Sequence, residues 1–488
     1  MTEVSFAQHG MWIMEQAGAG SAYHMPILIR LPGPPDRGAL AKAVAGVVER
    51  HPLLGCAMED RGGVLHLVPA ADRPGLADDR SGLVRDPFPP FDLERGPLIR
   101  FALDGDTLRI DAHHLVFDGQ SKDILVADLA TLYDGALPPP LEPADHAALQ
   151  RERVAGQLKE AGAFWARRWR EPGEVVVAGQ VLRSRRASPG RVSEFGLDLP
   201  ELRELPGLTR FEVVLAALHA LLRSYGNEDV VTAVDLSTRT PAESGRVGPY
   251  VNELPVYSGP SPDVPFAEFA AELRAELRQV YGVREVPIAR AVPGVKPHAA
   301  LAPVSVSYRR AGPAVPGWEV DRLAFNQAVR GALQLQLLDG PDGLAASLRY
   351  DPEELRDPAQ FTTDLQALLS RITPGRPLRD LTPFHDTPST SIGSAAVTEP
   401  SAPPASSPAS SPEAGPDDPL LAEITAIWEE VLKFSPVEPH DDIFDLGGHS
   451  LTITQIIARM RKRLGVEIEL DDFFDNPTIA GVVEVIRR

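Results

Sequence analysis

The chain has 488 residues, 43% of them hydrophobic and 24% charged, with a formal net charge of −20. This length allows roughly two to four domains with sizeable cores, and the negative charge argues against nucleic acid or an anionic membrane surface as the main partner. A single cysteine, Cys56, excludes an intramolecular disulfide and a multi-cysteine zinc site; it reads as a small core residue.

The first residues, MTEVSFAQHGMWIMEQ, show no basic stretch leading into an apolar run, so no secretory signal is expected and the cytoplasm is the expected compartment. Hydrophobic periodicity predicts strands over 25–31, 98–103, 107–114, 230–236, 302–308 and 343–350. It predicts helices over 36–50, 120–134, 147–170, 211–225 and 264–281. The most apolar stretch, FEVVLAALHALL (211–222), is too short to span a bilayer and contains Glu212 and His219, so it reads as a buried helix. Together these elements describe a large α/β body over 1–385.

Residues 386–416 are rich in Pro, Ser and Ala and almost free of large apolar side chains. Such a segment cannot offset its ordering entropy by burial and reads as a flexible linker. Beyond it, 417–488 has an all-helical pattern. Leu421, Ile424, Trp428 and Val431 share one face of a first helix, and Ile453, Ile456, Ile457, Met460 and Leu464 one face of a second. A short turn at 471–475 precedes a last helix, TIAGVVEVIRR. Acidic residues outnumber basic ones here by 15 to 7, a net charge of −8.

Two short stretches carry chemistry. The first is DAHHLVFDGQS (111–121). In TLRIDAHH, Leu108, Ile110 and Ala112 alternate with Arg109, Asp111 and His113, so parity assigns His114 to the apolar face. Adjacent strand histidines cannot line one pocket; His114 is the candidate reactive group and His113 a supporting one. The opposed directions also argue against a metal site. The FDG turn and a following helix place His114 at a strand-to-helix junction, near helix N-terminal amides. An imidazole there can give or take a proton, although a hydrogen-bonded core histidine fits the local pattern as well.

HHLVFDG resembles the HHxxxDG signature of condensation domains in nonribosomal peptide synthetases, which share the chloramphenicol acetyltransferase fold. Other stretches are similar to motifs of that family in the same order: SFAQHGMW (5–12), ERHPLLGCAM (49–58), VDLSTRT (234–240) with VGPYVNELPV (247–256), and REVPIARAV (284–292). The resemblance covers about 1–385. It implies two acetyltransferase-like lobes in a V-shaped pseudo-dimer, about 1–165 and 166–385, with a tunnel between them. It also implies His114 as general base or positioning group, and Asp118 as a structural partner of an arginine, for which Arg239 is the candidate. Gly119 would permit close backbone approach at the helix start, and its neighbouring amides could hold an oxyanion; Asn252 would line or brace the tunnel. The chain departs from the family in EPADHAALQRE (142–152), which lacks the usual aromatic residues, and at Glu253, where threonine is usual.

The second stretch is DDIFDLGGHSLTITQ (441–455). Ser450 follows Gly-Gly-His and opens a helix, whose positive end would favour a phosphodiester; an ordinary N-cap serine is the plainer reading. The segment resembles a peptidyl carrier protein, and FFDNPTIAGVVEVI (473–486) resembles that family's last helix. This implies a four-helix-bundle carrier (thiolation) domain over 417–488, with 4′-phosphopantetheine on Ser450.

The combined reading is a condensation–carrier didomain that forms an amide between a carrier-bound acyl or peptidyl thioester and an amine. No nucleotide-binding motif of an adenylation domain is seen, so loading in trans by a stand-alone adenylation enzyme is expected. The further partners are an upstream carrier protein bearing the donor, a phosphopantetheinyl transferase and downstream tailoring or release enzymes. The order of domains disfavours epimerisation, and the HHxxxDG form disfavours cyclisation. Three alternatives stand beside this reading: an acyltransferase with a soluble amine or alcohol acceptor, a non-catalytic scaffold presenting the carrier, and an acetyl-CoA enzyme with an incidental helical tail.

Overall fold

The computed structural model describes residues 2–78, 89–200, 202–295, 299–381, 418–432, 435–441, 443, 450–468, 472–473 and 476–487. The linker 386–416 and the glycines and histidine before Ser450 lie outside the described residues. The chain forms two compact units, a large α/β body and a small helical one.

The body holds two main sheets. One has five strands in the order Glu319–Asp321, His24–Arg30, Thr107–His113, Ile99–Asp104, Leu76–Asp78. Its core gathers Ile27, Ile29, Leu108, Ile110 and Ala112 against Leu40, Val44 and Val47 of helix Arg37–Arg50 and Leu125 and Leu129 of helix Gly119–Tyr133. Both helices begin at an aspartate, Asp36 and Asp118, whose side chain accepts a first-turn amide.

The second sheet has six strands in the order Arg191–Leu197, Gly343–Tyr350, Leu333–Gly340, Val304–Arg310, Val230–Ser237, Val251–Ser258. Here the period-two pattern sorts chemistry. Val234, Leu254, Val306, Leu335 and Leu348 enter the core with helices Arg210–Ser224, Phe266–Gly282 and Pro358–Arg371. Asp235, Glu253, Ser307, Gln334, Gln336 and Arg349 point the other way and line a cavity. The FEVVLAALHALL helix is capped by a Thr209–Glu212 box and buried on every side. Its His219 is satisfied by Ser258 Oγ at 2.7 Å and Thr232 Oγ1 at 2.9 Å.

Packing departs from chain order at two points. Glu319–Asp321, far along the chain, pairs with Leu28–Arg30 and completes the edge of the first sheet. Val154, Ala161 and Trp165 of helix His146–Trp165 belong to the second core rather than the first. Cys56 is half-buried rather than a core residue; it opens strand Cys56–Asp60, with Sγ 3.4 Å from the Pro52 carbonyl.

In the small unit, helices Pro419–Leu432, Ser450–Leu464 and Ile479–Arg487 close on Ile424, Trp428, Ile453, Ile456, Met460, Phe473 and Val482. Trp428 stacks on Phe473, with ring centroids 5.7 Å apart. No helix among the described residues is long and apolar enough to cross a membrane.

Candidate active site

Parity along Thr107–His113 does not reach His114. The strand stops at His113, and His114–Val116 forms a single 3₁₀ turn before Asp118 caps the next helix. The expected polar face is also buried, because Asp111 hydrogen-bonds His24 Nδ1 at 2.7 Å beneath the sheet. It is the turn that delivers His114 to a cavity of about 880 Å³, walled by both lobes. Its ring meets Tyr23 edge-on at 5.8 Å. Nδ1 is buried and has no hydrogen-bond partner among the described residues. Burial holds the imidazole pKa down at about 4; nearby Asp118 opposes this, and Arg330 and His113 reinforce it. The ring is therefore neutral at physiological pH.

His113 turns away. Its Nδ1 accepts the Leu115 amide at 3.1 Å, and its Nε2 lies 3.1 Å from Glu15 Oε1. Gln8 Nε2 donates to the Leu115 carbonyl at 3.0 Å, while Gln8 Oε1 accepts the Ser5 amide in the capping box of helix Phe6–Gln16. The SFAQ stretch thus holds the histidine turn from below.

Asp118 is a hub. Its carboxylate accepts Ser121 N at 2.7 Å, Tyr250 N at 3.1 Å and both contacts from Arg239 Nη2, at 2.8 and 3.0 Å. Arg239 also donates to the Glu243 carbonyl at 2.9 Å, the Arg246 carbonyl at 2.7 Å and Ser121 Oγ at 3.0 Å. Its guanidinium lies over the Tyr250 ring at 4.5 Å. Ser121 Oγ in turn accepts the Gly248 amide at 3.0 Å. The structure therefore brings Asp118 and Arg239 together, and they fasten the 239–250 loop of one lobe to the helix start of the other. Charge-assisted bonds of this kind are short and directional.

Gly119 faces the same cavity; a Cβ there would lie 3.1 Å from Arg309 Cδ. Asn252 lines the cavity and donates to the Arg284 carbonyl at 2.8 Å and the Val286 carbonyl at 3.1 Å. Glu253, the residue in place of threonine, pairs with Arg330. Tyr23 and Glu15 were not legible as site residues, because each lies far in sequence from the histidine it meets; Ser121 lies within the quoted stretch, but its partners Arg239 and Gly248 are more than a hundred residues away. Among the described residues, no group of three or more His, Cys, Asp or Glu is placed to hold a metal ion.

The family model described as "Condensation domain" matches residues 1–292, more than half of the chain. The chain belongs to the condensation-domain family. Condensation domains catalyse amide-bond formation in nonribosomal peptide synthetases. Surfactin synthase subunit 2 of Bacillus subtilis is 28% identical over 312 residues, covering 58% of this chain and 9% of that protein. Phosphinothricin tripeptide synthetase PhsB of Streptomyces viridochromogenes is 30% identical over 335 residues, covering 60% of this chain and 28% of that one. The chain thus spans a small part of the synthetases it resembles. In three dimensions it is similar to the X-domain from teicoplanin biosynthesis, with TM-score 0.63, 22% identity, and coverage of 78% and 98% of the two chains. It is also similar to the first condensation domain of the calcium-dependent antibiotic synthetase, with TM-score 0.61, 20% identity, and coverage of 78% and 98%. These likenesses show the fold, related to chloramphenicol acetyltransferase.

Residues 422–486 match the model "Phosphopantetheine attachment site", which gives this condensation-family protein a covalent 4′-phosphopantetheine on a carrier domain. Ser450 is the first residue of helix Ser450–Leu464.

Proposed function

We propose that the body, 1–385, joins an acyl or peptidyl group to an amine, and that the carrier, 417–488, takes part through a cofactor on Ser450. The observation that carries this reading is the neutral His114 at the wall of a cavity shared by two lobes, on a turn locked by Asp118 and Arg239. The cofactor supplies a thiol that holds the acyl group as a thioester. His114 accepts a hydrogen bond from the incoming amine and aims it. With a pKa near 4, it does not strip a proton from the free ammonium ion. It takes the proton once the attacking nitrogen bonds carbon and becomes a strong acid, and returns it to the sulfur as the donor's carbon–sulfur bond breaks. Asp118, Arg239 and Ser121 keep the turn rigid, so that little reorganisation is needed at that moment. Gly119 leaves the backbone open to the substrate, and Asn252 braces the opposite wall.

Under this reading an upstream carrier protein brings the donor, a stand-alone adenylation enzyme loads Ser450's arm in trans, and a phosphopantetheinyl transferase installs it. Downstream tailoring or release enzymes take the product, and the reaction runs in the cytoplasm. The 386–416 tether raises the effective concentration of the carrier at successive partners. The test is intact-protein mass spectrometry of the chain co-produced with its pathway, wild type beside His114→Ala. The expected result is condensed product on Ser450 in wild type and only its precursor in the variant. The same group on both proteins would refute catalysis onto this carrier and favour a soluble acceptor or a scaffold.

A further inference from the structure

The turn that carries His114 is held from helix Phe6–Gln16 at two points. Gln8 and Glu15 stand seven residues apart, nearly two full turns, and so share one face about 10 Å apart along the axis. Gln8 takes the Leu115 carbonyl directly, at 3.0 Å. Glu15 acts through His113.

The His113 ring is almost wholly buried, with 1% of its side chain exposed. Its neighbours are aromatic: Phe91 edge-on at 5.6 Å, Tyr23 at 6.1 Å and His24 at 6.4 Å. Nδ1 accepts the Leu115 backbone N–H at 3.1 Å, so this nitrogen must carry its lone pair. A neutral imidazole then has its single proton on Nε2. The group facing Nε2 is a carboxylate oxygen, Glu15 Oε1, at 3.1 Å. The other tautomer would set N–H against N–H at Leu115 and a lone pair against an anion at Glu15. A doubly protonated ring would keep the first of these clashes, and burial disfavours its charge.

We propose that Glu15 is a positioning residue: its carboxylate accepts the Nε2–H of His113, fixes the tautomer whose Nδ1 holds the Leu115 amide, and so sets the turn that delivers His114 to the cavity. Glu15 touches no substrate; its effect passes through His113 and one backbone bond. The kinetic part rests on the condensation reading, whereas the tautomer does not.

The test uses the full chain labelled with ¹⁵N in its histidine rings, with the His113 signals assigned by their loss in His113→Asn. The wild type is expected to show His113 protonated at Nε2 alone near neutral pH. In Glu15→Gln, the amide can present its NH₂ to Nε2, and the proton is expected to move toward Nδ1. With condensation as readout, kcat should then fall about tenfold, the size of one hydrogen bond lost at the turn, with KM little changed. A wild-type ring protonated at Nδ1, or at both nitrogens, overturns the proposal whether or not Glu15→Gln folds. A shifted tautomer with unchanged kcat in an active protein overturns it too. A chain that carries out no condensation leaves the ring spectrum as the deciding measurement, so failure of the activity and failure of the proposal remain distinct.

Discussion

Replacing Arg239 by methionine removes the guanidinium and keeps most of the stem. The Arg239 and Asp118 side chains are 6% and 5% exposed, so the pair is screened from water. Breaking a buried pair by deleting one member costs about 3–5 kcal/mol, because the remaining charge is left uncompensated. Asp118 keeps three donors, Ser121 N, Ser121 Oγ and Tyr250 N, which moves the expected cost toward the lower end. Against that, the Glu243 and Arg246 carbonyls each lose a donor, at about 1 kcal/mol apiece. Together these give about 5 kcal/mol for the body. Urea unfolding of the full chain measures it. The double variant Asp118→Leu/Arg239→Met should cost less than the sum of the single variants by more than about 1 kcal/mol, since neither then leaves a stranded partner. An Arg239→Met loss below about 1 kcal/mol, or additive single costs, would refute the reasoning.

Further predictions follow from single residues. Ser450→Ala should abolish the mass gain on incubation with a phosphopantetheinyl transferase and coenzyme A, whereas His114→Ala should leave that gain intact. His219 is fully buried and its pKa is pushed down to about 3, below the ordinary histidine value, so the folded state excludes a proton that the unfolded chain binds. Its stabilising contribution is therefore complete above about pH 6.5 and falls as pH drops toward 3. His219→Gln, which can still meet Ser258 and Thr232, should flatten the loss of body stability over that window in pH-dependent urea titrations. Gly119→Ala should cost under about 1 kcal/mol in stability, because Arg309 can withdraw its flexible stem, but should raise KM by moving that side chain within the cavity; an unchanged KM would remove Gly119 from the site.

Much of the fold was legible because its signals are local. VDL and SVS alternate at period two, and the same alternation sends apolar residues to the second core and polar ones to the cavity. FEVVLAALHALL is apolar all round because helices and sheet cover every side of it. The pairing of Asp118 with Arg239 came from motif order, and 121 residues separate them in the chain. Parity along Thr107–His113 gave the wrong reason for His114, since a strand rule ends where the strand does.

The sequence by itself determined many of the elements, among them helices Arg37–Arg50 and Arg210–Ser224 and strands His24–Arg30 and Val230–Ser237, and singled out a histidine pair and a helix-opening serine as candidate chemical centres. Each follows from periodicity, composition or a short contiguous motif, which are properties of neighbours along the chain. Tertiary structure alone decided that Glu319–Asp321 completes the first sheet, that helix His146–Trp165 lends residues to the second core, and that Glu15 faces His113 across 98 residues. It also decided that His114 is neutral, because the burial that lowers its pKa is made by residues from both lobes. A proton's affinity depends on what surrounds it in space, and that is set only when the lobes close on one another.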